Sequence, residues 1–154
     1  MIDKPELTRT EAQQTASIHM TVRGVDMPKF MGPAIQELMD TLKAQGITPT
    51  GPMYSYHHRM PSDTFDFEVG VPVGQAVKPE GRVRPSQLPA AKVLRTMYHG
   101  PYEGLSDGWS AFMAQVKASG HQPQDSFWEF YVSGPESSPD PKNWMTELNR
   151  PLVG

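Results

Sequence analysis

The sequence contains no cysteine. Disulfides, thiolate metal sites and a cysteine nucleophile are excluded, and a cytoplasmic protein is expected. It also lacks a dense basic cluster: 14 Lys and Arg stand against 17 Asp and Glu, for a net charge of −3. Binding a phosphate backbone needs concentrated positive charge, so direct nucleic-acid contact is not expected. No apolar run reaches membrane-spanning length, and Met1 to Gln14 is polar, without a signal-peptide core. No membrane partner is expected. The five histidines (His19, His57, His58, His99 and His121) show no metal-ligand spacing, so no metal is expected. There is no Gly-x-Ser-x-Gly elbow for a triad hydrolase and no glycine-rich phosphate loop after a strand. No cofactor is expected.

What is present suits one globular domain. The 154 residues are 37% hydrophobic and 20% charged, enough for a sizeable core. Residues 1–14 read as a flexible polar arm and residues 15–154 as a single domain. From Thr15 to Arg23, Ile18, Met20 and Val22 alternate with polar residues, a strand pattern. Asp26 is placed as a helix N-cap, with Pro28 in the first turn. Met31, Ile35, Leu38, Met39 and Leu42 then recur at helical spacing until Gly46. Strands are expected at Met53–His58 and over Phe65–Val73, followed by a Pro/Gly-rich connector from Gly74 to Ser86.

The second half, about 87–154, repeats the course of the first, about 15–74. Leu88 to Tyr98 contains a strand, and a helix carries Leu105, Trp109, Phe112, Met113 and Val116. Each of these lies 74 residues after its counterpart in the first helix, and Gly120 and Pro123 answer Gly46 and Pro49 at the same offset. Glu147-Leu-Asn-Arg-Pro-Leu152 matches Glu68-Val-Gly-Val-Pro-Val73 at an offset of 79, the extra residues lying between Ser133 and Pro141. The chain therefore reads as α+β: two β-α-β-β units forming an antiparallel sheet with two helices and a cleft at their junction. Element junctions are where small-molecule sites tend to form.

The stretch Asp125-Ser-Phe-Trp-Glu-Phe-Tyr-Val-Ser133 sets an acid among rings. Strand alternation puts Phe127, Glu129 and Tyr131 on one face, and the offset gives Met53, Ser55 and His57 the same parity. A carboxylate among rings is costly unless paired, solvated or used. One reading is a strand acid that reaches an arginine or solvent at a sheet edge; the other is a ligand-facing acid.

Several segments together resemble the GyrI-like small-molecule-binding family, which includes effector-binding domains of AraC-type and MerR-type regulators. They are Phe67-Glu-Val-Gly-Val-Pro-Val73, His99-Gly-Pro-Tyr-Glu-Gly-Leu105, Phe127-Trp-Glu-Phe-Tyr131, Thr146-Glu147 and Pro151-Leu152. The resemblance implies a duplicated β-α-β-β fold that binds lipophilic, aromatic or cationic compounds between its halves. It implies that Glu129, on the penultimate strand, is the acidic anchor, and rings add cation–π attraction of about 0.5–2 kcal/mol. Regulator members carry a DNA-binding segment ahead of this domain. Here fewer than about 15 residues precede the first expected strand, so a stand-alone domain is expected.

The candidate ligand-binding residues are Glu129, Phe127, Tyr131, Tyr102, Trp109, His57, Tyr56 and Glu68. Tyr102 is either a staple on the helix start or a cleft wall. Trp109 is either core or cleft, and Glu68 either a structural acid or a reserve site residue. Some stand-alone relatives resemble hydrolases of cyclopropane-bearing electrophiles. In that alternative Glu129 activates water and Tyr131 or Tyr102 assists. A further alternative is a protein-binding inhibitor of a topoisomerase, and a protein partner or homodimer is left open.

Overall fold

A computed structural model of the chain describes residues 1–135 and 137–153, Pro28 by its backbone alone. The expected insertion between Ser133 and Pro141 is thus described apart from Glu136, and Gly154 lies outside the described residues. Among the described residues eight strands and two α-helices follow in order: β1 Glu6–Thr10, β2 Gln13–Arg23, α1 Met27–Ala44, β3 Tyr54–His57, β4 Thr64–Pro72, β5 Val83–Leu88, β6 Ala91–His99, α2 Leu105–Ala118, β7 Phe127–Ser133 and β8 Met145–Pro151. The strands form one sheet in the order β1-β6-β8-β7-β3-β4-β2-β5, antiparallel throughout. The α+β architecture with two helices on an antiparallel sheet is as expected. No helix among the described residues is long and apolar enough to cross a membrane.

From the centre outward, the sheet order is the same in both directions under exchange of halves. β3 and β7 meet in the middle, flanked by β4 and β8, then by β2 and β6, then by β5 and β1. The register carries the sequence offsets into space. Ser55 pairs with Val69 where Glu129 pairs with Leu148, and the isolated bridge Pro49–Val73 is matched by Pro123–Leu152. Both helices present the same three buried positions to the sheet: Ala34, Leu38 and Leu42 in α1, Gly108, Phe112 and Val116 in α2. Gly46 and Gly120, just beyond the helices, hold φ values of 69° and 79°, a left-handed conformation that glycine adopts freely.

Two expectations are corrected. Residues 6–10, read as part of a loose arm, form β1 along β6, and Ile2 bridges to Tyr98. The connector from Gly74 to Ser86 contains most of β5, which pairs with β2. Both are edge strands, so one side of each needs no partner and their composition stays polar. Pro85 is tolerated in β5 for the same reason. Each outer strand precedes one half in sequence but pairs with the other, tying the halves together. Asp26 does occupy the position before α1, but its carboxylate accepts from Arg23 Nε at 3.0 Å instead of capping the helix.

The helices cover one face of the sheet with two apolar clusters, one under α1 around Ile18, Leu38, Phe67 and Val69, the other under α2 around Tyr98, Phe112 and Leu148. A smaller cluster of Tyr54, Leu88, Val93 and Trp128 lies on the opposite face. The helix-bearing face at the β3–β7 junction is where the candidate site forms.

Candidate functional site

β3 and β7 are short neighbours in strict alternation, so their side chains divide cleanly between the two faces. Ser55 and His57 from β3, with Phe127, Glu129 and Tyr131 from β7, take the helix-bearing face. The register shift in β7 falls between Tyr131 and Ser133, beyond these residues, and leaves their parity intact.

Glu129 is 7% exposed. Trp109 of α2 donates its Nε1–H to Glu129 Oε2 at 2.7 Å, and the Tyr131 hydroxyl donates to Oε1 at 2.9 Å. Ser55 Oγ lies 2.7 Å from the Tyr131 oxygen and 3.4 Å from Glu129 Oε1. A serine hydroxyl has one proton, and the shorter contact directs it to Tyr131, giving a chain from Ser55 through Tyr131 to Glu129. Every donor in this chain is neutral. Among the described residues no lysine or arginine pairs with the carboxylate. Burial therefore raises the Glu129 pKa above the ordinary carboxylate value, against the pull of the Trp109, Tyr131 and Ser55 bonds. Burial also pushes the Tyr131 hydroxyl well up, with the Glu129 charge adding to it.

Rings close the rest of the wall. Trp109 packs on Phe127 at 4.6 Å between centroids, and Phe127 stacks on His57 at 4.5 Å and 7°. Phe67 stacks on the other side of His57 at 5.3 Å. Burial, with the neighbouring His58 charge, lowers the His57 pKa to about 4, so the ring is neutral near pH 7. Its Nδ1 is buried and without a hydrogen-bond partner among the described residues. Tyr102, in the 3-10 turn just before α2, sets its ring 6.0 Å from Tyr131 and 5.2 Å from Trp144.

Two cavities flank this cluster. One, of about 610 Å³, is walled by Met31, Ile35, Met53, Tyr102, Leu105 and Tyr131. The second, of about 370 Å³, is walled by His57, Met60, Leu105, Trp109, Phe127 and Glu129, among others. Leu105 borders both. The two are counterparts under the repeat: Met31, Ile35 and Met53 in the first stand where Leu105, Trp109 and Phe127 stand in the second. Both volumes fall in the usual range for small-molecule pockets. Among the described residues neither has a lysine or arginine in its wall, and Glu129 is the single carboxylate that lines them.

Six of the eight candidates thus converge: Glu129, Phe127, Tyr131, Tyr102, Trp109 and His57. Tyr56 and Glu68 do not. Tyr56 faces the other side of the sheet, stacked on Trp128 at 5.8 Å. Glu68 also stands on that side, accepting from Ser17 and Ser86 at 2.7 Å each and facing His58 at 2.9 Å. Pairing alone places them there, since Tyr56 sits opposite Glu68 in the β3–β4 ladder and both are out of phase with His57 and Phe67. Sequence reasoning did not single out Met31, Ile35 and Leu105 as walls, although the 74-residue offset already grouped them in matched stripes. Met60, from the loop after β3, carried no signal.

A family model described as the GyrI-like small molecule binding domain matches residues 3–152. Among solved structures, the EcmrR chain of an EcmrR–DNA complex is 26% identical with a TM-score of 0.82, the match covering 97% of this chain and 57% of that one. This chain therefore spans little more than half the length of that protein. The crystal structure of the EcmrR C-terminal domain is 24% identical, with a TM-score of 0.84 and 97% of both chains covered. The structure of SAV2435 bound to tetraphenylphosphonium is 11% identical, with a TM-score of 0.70, covering 99% of this chain and 95% of that one. The last two likenesses show the fold. No curated protein matches the chain.

Proposed function

The chain belongs to the GyrI-like small-molecule-binding domain family, and on that basis we propose that it binds lipophilic aromatic cations at the junction of its halves, with Glu129 as their counter-charge. The observation that carries this reading is the state of Glu129. Among the described residues it is a buried carboxylate held by neutral donors, in a wall without lysine or arginine. An isolated buried charge is unfavourable, and a cationic ligand is the partner that removes the deficit. The rings of Trp109, Phe127, Tyr131 and Tyr102 add apolar contact and cation–π attraction. Met31, Met53 and Met60 give the walls unbranched, adaptable side chains that suit varied ligand shapes. Tetraphenylphosphonium, which SAV2435 holds, is a cation of this chemistry. Trp109 lies against Glu129, so tryptophan fluorescence reports occupancy. Titration with tetraphenylphosphonium is expected to quench wild type with a saturable curve, and Glu129→Gln to weaken it at least tenfold. Equal curves would remove Glu129 as the anchor.

A second reading draws on the bond between Tyr131 and Glu129. A carboxyl group with a raised pKa beside a tyrosine hydroxyl has the makings of an acid–base pair. In this reading Glu129 takes a proton from a water whose oxygen attacks a strained electrophilic carbon. Tyr131 supplies the proton that the opened ring requires. Incubation with a cyclopropane-bearing alkylator, followed by mass spectrometry, separates the readings: a product heavier by one water, absent in Glu129→Gln, supports the hydrolase, and binding without product excludes it.

A further inference from the structure

The opposite face of the sheet carries a group of metal-ligating side chains that the ligand cleft does not use. His19 on β2 contacts Asp66 on β4, and His58 follows directly on β3. Each offers one donor atom, and the three donors lie within 4.8 Å of one another. The two imidazole rings meet edge to face with centroids 5.3 Å apart. Donors sharing one zinc ion sit roughly 3–4 Å apart, at metal distances of about 2.0–2.2 Å. The three side chains are part-exposed, so small rotations bring them to that spacing.

Glu68 completes the arrangement. Its Oε1 accepts from Ser17 and Ser86, which fixes the carboxylate, and its Oε2 lies 2.9 Å from His58 Nε2. A carboxylate that holds the ring of a ligating histidine sets its tautomer and orientation. The fold itself does not demand this polar group. In the second half Met97 faces Glu147 as His19 faces Glu68, the positions that answer His58 and Asp66 are Val132 and Met145, and Glu147, the counterpart of Glu68, pairs with Arg95 at 3.3 Å. The cluster was invisible as spacing in the sequence because it is assembled from two strands and the residue that follows a third.

We propose that His19, His58 and Asp66 bind one divalent transition-metal ion of the zinc class, with Glu68 as the positioning residue for His58. Two imidazoles and one carboxylate suit Zn²⁺, and Ni²⁺ or Cu²⁺ in their place, over Mg²⁺ or Ca²⁺, which favour all-oxygen shells. Part of the ion's shell stays open to solvent, and by joining β2, β4 and the end of β3 it braces one edge of the first half. This site is independent of the cleft on the other face, so either proposal can fail alone.

The test is calorimetric titration of the untagged, chelator-dialysed chain with ZnCl₂ in excess MgCl₂ at neutral pH. One ion per chain is expected, together with a higher melting temperature on Zn²⁺ addition. His19→Ala and Asp66→Asn should each weaken binding at least tenfold, and Glu68→Gln about tenfold. His99→Ala, which alters the separate His99–Asp3 pair, should leave it unchanged. Absence of a binding isotherm overturns the proposal, as does zinc affinity that survives His19→Ala and Asp66→Asn but falls with His99→Ala. Melting curves of the metal-free variants show whether each is folded. Should His19→Ala unfold, the isosteric Asp66→Asn, at a part-exposed position, decides the question by itself.

Discussion

Ser55 and Glu129 face each other directly across the β3–β7 ladder, and they are also 74 residues apart, the offset of the internal repeat. A residue that is both the cross-strand partner and the repeat counterpart of another lies on the axis relating the halves. The pseudo-twofold axis of the sheet therefore passes between a serine and a glutamate. One half supplies a charge at the axis and the other a hydroxyl. That asymmetry gives two otherwise matched cavities different chemistry: Glu129 borders the smaller and Tyr131 the larger.

The raised pKa of Glu129 sets a pH dependence for binding. Below its pKa the carboxyl is neutral and offers a cation little; above it the charge is present. Affinity for a lipophilic cation is expected to rise with pH through a midpoint above the ordinary glutamate value of 4.5. A flat profile in wild type, measured by fluorescence between acid and neutral pH, would contradict this.

The same shift has a consequence for stability. A group whose folded pKa lies above its unfolded value stabilises the fold below the unfolded pKa and loses that contribution as pH rises through the folded one. Wild type is therefore expected to lose melting temperature relative to Glu129→Gln as pH climbs from about 4.5 toward neutrality. A constant difference between the two across that window would show that the carboxyl is not perturbed.

Trp109 holds Glu129 through a charge-assisted hydrogen bond at 2.7 Å. Trp109→Phe keeps a ring against Phe127 but removes the donor, and such bonds contribute about 1.5–3 kcal/mol. The variant is expected to raise the Glu129 pKa further and to weaken cation binding at neutral pH by roughly tenfold or more. Calorimetry, which does not need the lost fluorophore, measures it.

Much of the fold, and the grouping of most residues of the candidate site, was legible in the sequence. The matched stripes of α1 and α2 and the offsets of 74 and 79 held because an amphipathic helix and an alternating strand write their buried faces into sequence. The offset also placed Ser55 opposite in role to Glu129, and the strand register realises it. What was not legible depends on long-range pairing. The edge strands β1 and β5 bury little and keep polar side chains, so they resembled an arm and a linker. Tyr56 was included as a neighbour on the strand of His57, although its parity differs, and Glu68 as a reserve acid; the β3–β4 register puts both on the other face. His19 and Asp66 come from separate strands and His58 from the residue just past a third, and nothing in their spacing announces contact.

The repeat is imperfect in its packing, and Gly70 shows where. A Cβ at Gly70 would lie 2.5 Å from the Ala16 carbonyl oxygen and 2.8 Å from the Tyr54 hydroxyl. The counterpart position in the second half is Asn149, which is fully buried. Gly70→Ala is expected to destabilise the fold by about 1–3 kcal/mol, because backbone and a buried tyrosine must both shift. Urea denaturation measures this; an unchanged midpoint would mean that the strands relax at no cost.

If Glu129 acts through its charge, a cation and a neutral molecule of the same shape must respond differently to its loss. Calorimetry gives the affinity for tetraphenylphosphonium and for its uncharged, similarly shaped analogue tetraphenylmethane derivatised for solubility, each with wild type and Glu129→Gln. The expected result is that Glu129→Gln weakens the cation at least tenfold and changes the neutral analogue less than about twofold. Equal losses for both ligands, or none for either, would mean that the Glu129 charge is not what holds the ligand.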